Sequence, residues 1–145
     1  MVYLLDSNIL IYAKMDGMAE HEVVSRWLSG AVSDPANTIM ICETSILSFL
    51  RITTNAKVFD PPLGFDDARA FLESFLSYPN VQIFRPSAPH FIALTDLMKK
   101  LKFVGNMVMD AYLAVLAMST GATLVTRDRD FKKVPYLKIL NPLKA

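Results

Sequence analysis

The stretch Val2-Tyr3-Leu4-Leu5-Asp6 decides how this chain is read: four apolar residues in a row, closed by a carboxylate. Three more segments share that form, Thr38 to Ile41, Val81 to Phe84 and Thr123 to Val125. Each is short and apolar and adjoins a segment of helical periodicity, the pattern of parallel strands covered on both faces. The intervening segments read as helices. Val23 pairs with Trp27 and Val24 with Leu28 at i, i+4, and Ala68, Phe71, Leu72, Phe75 and Leu76 form a stripe behind Asp66 and Asp67. A third helix is expected from Pro89 to about Lys102, with Lys99, Lys100 and Lys102 where the helix dipole favours cations. The fourth, Val108 to Thr120, is apolar nearly all round and should be buried, with Asn106 as candidate N-cap and Gly121 at its C′ position. Strands alternating with helices predict an α/β fold: a parallel sheet of about four to five short strands between two helical layers.

That topology gives the acidic residues a meaning. In open parallel sheets the ligand crevice lies outside the carboxyl ends of the strands. Asp6 follows the first strand directly, Glu43 comes two residues after the second, and Asp128 comes three residues after Val125. Asp110 reaches the same edge by another route, in the first turns of the buried helix, as the only charge between Lys102 and Arg127. A carboxylate there gains from the dipole, yet it needs a partner to be worth burying, and a cation would supply one. Each residue also has a purely structural explanation. Asp6 can cap a helix starting near Asn8, Glu43 and Asp110 can be helix-start charges, and Asp128 and Asp130 can be turn residues before Phe131. Taken together, the structural account requires four unrelated coincidences.

Composition narrows the alternatives. The 145 residues suit one folding unit; 52% are hydrophobic and 20% charged, so the chain can bury a core and is not of disordered type. One cysteine, Cys42, excludes an internal disulfide, and with only His21 and His90 beside it there is no set for structural zinc. Any metal is therefore held by oxygen. The first residues lack the basic start of a secretion signal, and Asp110 interrupts the longest apolar run, so the protein is expected to be cytoplasmic and not in a membrane. The net charge is +1, but residues 1 to 72 carry five Lys/Arg against nine Asp/Glu and residues 73 to 145 carry ten against five, about −4 and +5. A solvated surface is the commoner cause of such a bias, and the sharper reading is a basic rim beside an acidic centre that holds a polyanion.

Four motifs in order, Leu5-Asp6-Ser7-Asn8, then Phe49-Leu50-Arg51-Ile52-Thr53-Thr54-Asn55, then Gly105-Asn106-Met107-Val108-Met109-Asp110-Ala111-Tyr112-Leu113-Ala114, then Thr126-Arg127-Asp128-Arg129-Asp130-Phe131, resemble those of PIN-domain toxins of VapBC toxin–antitoxin modules. The resemblance spans nearly the whole chain and implies a single PIN domain over residues 1–145. It further implies dependence on Mg²⁺ or Mn²⁺, endonuclease action on RNA, a homodimer, and inhibition by a cognate VapB-like antitoxin. Carried over by position, Asp6 and Asp110 are the expected metal ligands and Asp128 the fourth acidic residue, with Asp130 assisting. Many members carry glutamate three residues before the arginine that matches Arg51, where this chain has Ser48; Glu43, nearer the strand end, is assigned the second acidic position. Asn8 and Thr126 are expected to hydrogen-bond the metal ligands, and Arg127, Arg129, Lys132 and Lys133 to be candidates for RNA phosphates. Two other readings remain: a receiver-like domain whose own aspartate serves as phosphoacceptor, disfavoured because Asp6 has no acidic neighbour and no aspartate follows Phe84, and a PIN module that binds RNA or dimerises without cutting RNA.

Overall fold

The computed structural model describes residues 1–144. Its elements are β1 (Val2–Leu5), α1 (Ser7–Lys14), α2 (His21–Ser33), β2 (Thr38–Cys42), α3 (Glu43–Thr53), α4 (Phe65–Leu76), β3 (Val81–Phe84), α5 (Ala88–Leu101), α6 (Met107–Thr120), β4 (Thr123–Val125) and β5 (Ile139–Leu140), with short 3-10 turns at Asp130–Lys133 and Pro142–Lys144. All strand pairs are parallel, in the order β3-β2-β1-β4-β5. A receiver has the order 2-1-3-4-5, so the sheet contradicts that alternative.

Strand pleating sorts the apolar runs into two cores. Leu4, Met40 and Leu124 stand in register and face one side, where α6 contributes every residue from Ala111 to Ala117 and Phe131 fills the edge. Leu5, Ile41 and Val125, the next residues along, face the other side and meet Ile9, Leu10, Val24, Phe49 and Leu72 from α1 to α4. Leu4 and Leu5 are both fully buried, and such burial stabilises by about 1.5–3 kcal/mol per side chain. The uninterrupted apolar run at the start of the chain is thus the mark of a central strand with helices on both faces.

Three expectations change in detail. Val81–Phe84 was expected to be a buried strand, but the order of the sheet makes β3 an edge strand with only β2 beside it, and Ile83 is 42% exposed. Asn106 precedes α6 but its side chain makes no capping bond, whereas Gly121 closes the helix at φ 68° as its type allows. The helix expected from Pro89 begins at Ala88 and ends at Leu101, because Lys102 turns left-handed at φ 56°.

The order also fixes where a ligand can sit. From β1 the chain winds outward to β2 and β3, then crosses to the opposite side for β4 and β5. The reversal falls between β1 and β4, and crevices form at such switch points outside the carboxyl ends of the strands.

Candidate active site

Asp6 leaves β1 at that switch point. Its backbone N–H donates to the Val125 carbonyl at 3.0 Å, which ties the end of β1 to the end of β4. It occupies the cap position of α1, yet its side chain makes no capping bond. Instead Oδ2 accepts from the Thr126 hydroxyl at 2.7 Å and from Asn8 Nδ2 at 3.1 Å, and Oδ1 accepts from the Ser7 hydroxyl at 3.4 Å. The Thr126 oxygen accepts in turn from the Asp128 N–H at 3.0 Å and from Asn8 Nδ2 at 3.3 Å. One buried hydroxyl therefore orients Asp6 and starts the turn that carries Asp128. Burial raises the Asp6 pKa, the Thr126 bond opposes that rise, and the nearby Asp128 charge adds to it.

Asp110, in the first turn of α6, lines the same cleft of about 300 Å³ as Asp6 and Asp128. Its carboxyl is pushed up to about 6, by burial first and then by the charges of Asp128, Asp6 and Asp130, with Lys133 acting weakly the other way. Ligand oxygens of Asp110, Asp128 and Asp130 lie within 4.8 Å of one another. Asp130 sits at the exposed rim, where its N–H donates to Asp128 Oδ1 at 2.9 Å and its carboxylate pairs with Lys133 at 3.1 Å. Among the described residues the Asp110 side chain has neither a hydrogen bond nor an ion pair. Two more cleft oxygens, Asn8 Oδ1 and Thr44 Oγ1, are buried without a partner. Crowded carboxylates beside orphaned neutral oxygens form the donor set that hard divalent cations and their waters take.

Glu43 does not join this group. The residues of α3 that line the cleft are Thr44, Ser45, Ser48, Arg51 and Ile52. At about 100° per residue, Glu43 lies about 140° around the helix from the middle of that face. Its side chain is 64% exposed and stands 4.0 Å from Arg85. The strand end brings its backbone to the correct edge, and helix rotation turns the carboxylate away. Arg127 is also directed elsewhere. It pairs with Glu20 and donates to the Tyr12 hydroxyl at 3.2 Å, so it braces the turn against α1 and α2 and not the cleft. The assignment from sequence did not include Ser48 and Arg51 in the site, although their spacing from Thr44, at i+4 and i+7, marks one helical face.

A parallel sheet in this order, with aspartates from β1, α6 and the turn after β4 around one cleft, defines the class. The chain belongs to the PIN domain family, whose profile matches residues 3–137. It is 30% identical over 139 residues to Ribonuclease VapC33 of Mycobacterium tuberculosis, with 96% of each chain covered. Among solved structures it is similar to a chain of VapBC2 from Rickettsia felis bound to a promoter DNA fragment, with TM-score 0.72, 25% identity, and 97% of this chain and 98% of that one covered. VapC20 of Mycobacterium tuberculosis, a sarcin-ricin loop cleaving toxin, has the same fold, with TM-score 0.70, 15% identity, and coverage of 96% and 99%. Among the described residues no helix is long and apolar enough to cross a membrane.

Proposed function

We propose that this chain is a divalent-metal-dependent endoribonuclease acting as the toxin of a VapBC-type module. The observation that carries the reading is Asp110: a carboxylate without a protein partner, in a cleft shared with Asp6 and Asp128, with its pKa pushed up to about 6. Clustered negative charge of this kind is costly unless a cation enters. Relatives named VapC ribonucleases over nearly the full chain support the same activity.

Asp6, Asp110 and Asp128 are the proposed holders of Mg²⁺ or Mn²⁺, with Asp130 at the rim. The bound ion would offset negative charge on a phosphodiester and favour water as nucleophile. The side chains around it divide the remaining work. Thr126 and Asn8 hold Asp6 in one rotamer, and Thr126 also positions the backbone of Asp128. No protein nucleophile is needed: Cys42, the one thiol, is buried, and burial pushes its pKa up to about 12. A VapB-like antitoxin and a second copy of the chain are the proposed partners, in keeping with relatives solved as toxin–antitoxin complexes.

The test compares the wild type with Asp6→Asn and Asp110→Asn on single-stranded RNA, in Mg²⁺, in Mn²⁺ and in EDTA. Cleavage by the wild type is expected with metal only, and both folded variants should lose it by about two orders of magnitude or more, on the scale of the electrostatic contributions removed. Undiminished metal-dependent cleavage by either variant would remove that residue from the mechanism. RNA binding by the wild type without cleavage, even in Mn²⁺, would favour the non-catalytic PIN module.

A further inference from the structure

The α3 wall of the cleft carries no negative charge. Its lining residues are Thr44, Ser45, Ser48, Ile52 and the cationic Arg51. Arg51 forms no ion pair among the described residues, although it lines a cleft with three carboxylates. Its own helix offers no pairing either, since the positions three and four residues away are Ser48, Leu47, Thr54 and Asn55. A place in the last turn of α3 suits a cation whatever its direction. That preference does not account for an exposed arginine that lines an acidic cleft and is bound to none of its carboxylates.

We infer that Arg51 binds a phosphate of the RNA strand, holding the strand on the α3 wall opposite Asp6, Asp110 and Asp128. The inference rests on the nuclease reading and names a substrate contact within that site. A cleft lined by carboxylates alone repels a polyanion even after one ion has entered, and a cation on the facing wall offsets that repulsion. The guanidinium fork matches two phosphate oxygens. Ser48 keeps the fork available, because a glutamate one turn before Arg51 would pair with it along the helix. The two walls thus have separate tasks: the aspartates serve the cation, and Arg51 serves the substrate.

The experiment measures binding of a fluorescent single-stranded oligoribonucleotide to the full chain in a cleavage-deficient Asp110→Asn background, across a salt series. Arg51→Ala is expected to weaken binding about tenfold at low salt, and to reduce the slope of log Kd against log salt by about 0.7, the value for one phosphate contact on a single strand. Arg51→Lys should keep the slope while losing part of the affinity, since it retains the charge without the fork. In the cleavage-competent chain Arg51→Ala should raise KM with little change in kcat, the pattern of a contact made equally in ground and transition states. An unchanged Kd and salt slope in Arg51→Ala would overturn the inference. So would tighter Mn²⁺ binding by Arg51→Ala with RNA affinity unaltered, because Arg51 would then be a counter-ion for the aspartates. Wild-type chain that neither binds nor cuts RNA would instead remove the nuclease reading itself.

Discussion

Replacing Asp110 by asparagine should stabilise the metal-free protein at neutral pH while it abolishes the site. The Asp110 carboxyl is raised from 3.8 to about 6 by burial, then by Asp128, Asp6 and Asp130. At 1.36 kcal/mol per tenfold change in proton affinity, that displacement corresponds to about 3 kcal/mol. Asp110 is only partly buried, and solvent screening reduces the figure to about 1–2 kcal/mol. The sign follows from proton counting. Between 3.8 and about 6 the folded chain keeps a proton that the unfolded chain has released, so stability falls as pH rises through that window and the deficit is complete above it. Below the window both states are protonated and the contribution vanishes. Asparagine has no charge to repel, and no hydrogen bond of Asp110 is lost with the substitution. Urea unfolding in EDTA should place Asp110→Asn above the wild type by about 1–2 kcal/mol at neutral pH, with the two converging in acid. Adding Mn²⁺ at about a hundred times its Kd should raise the wild type by about 2.7 kcal/mol and leave the variant where it was. A variant equal to or below the wild type at neutral pH in EDTA would refute the account of a carboxylate destabilised by burial first and by its acidic neighbours second.

Thr126→Val removes the hydroxyl shared by Asp6, Asp128 and Asn8 and should cost about 1–3 kcal/mol in urea unfolding, because three polar partners lose it; Thr126→Ser should recover most of that loss. Glu43→Gln should leave metal-dependent cleavage unchanged and alter stability by less than about 0.5 kcal/mol, as expected of an exposed charge. At Gly121 a Cβ would meet nothing within 4 Å, so Gly121→Ala isolates the backbone cost of φ 68°, expected at about 1 kcal/mol and read as a drop of about 3 °C in Tm.

The parts of the fold legible in sequence are those where one physical demand governs a whole segment. Val2 to Leu5 is apolar throughout because both faces of β1 are covered, and Val108 to Thr120 is apolar nearly all round because α6 is buried from Ala111 to Ala117. A single charge in that helix singles out Asp110 for the same reason. The two-residue β5, paired only with β4, is too short to leave a periodic signal. Topology placed the backbone of Glu43 at the correct edge but not its side chain. The direction depends on rotation about α3, where Ser48 and Arg51 share the cleft face and Glu43 does not. Arg127 misleads in the same way: it stands between Thr126 and Asp128, and its neighbours on either side belong to the site while it turns toward Glu20 and Tyr12.

The hydrogen bonds at the ends of β1 and β4 have a mechanical consequence. The Asp6 amide is tied to Val125 and the Thr126 amide to Leu140, so one jaw of the cleft is continuous with the centre of the sheet, the kind of segment expected to open last. Asp128 and Asp130 ride on a surface turn held by bonds to near neighbours, and this jaw can flex at small cost. An ion of the proposed kind would meet a fixed anvil on the Asp6 side and an adjustable clamp on the other. On the proposed reading, the sheet would set the aim of the chemistry and the surface turn its tolerance for ions of different radius.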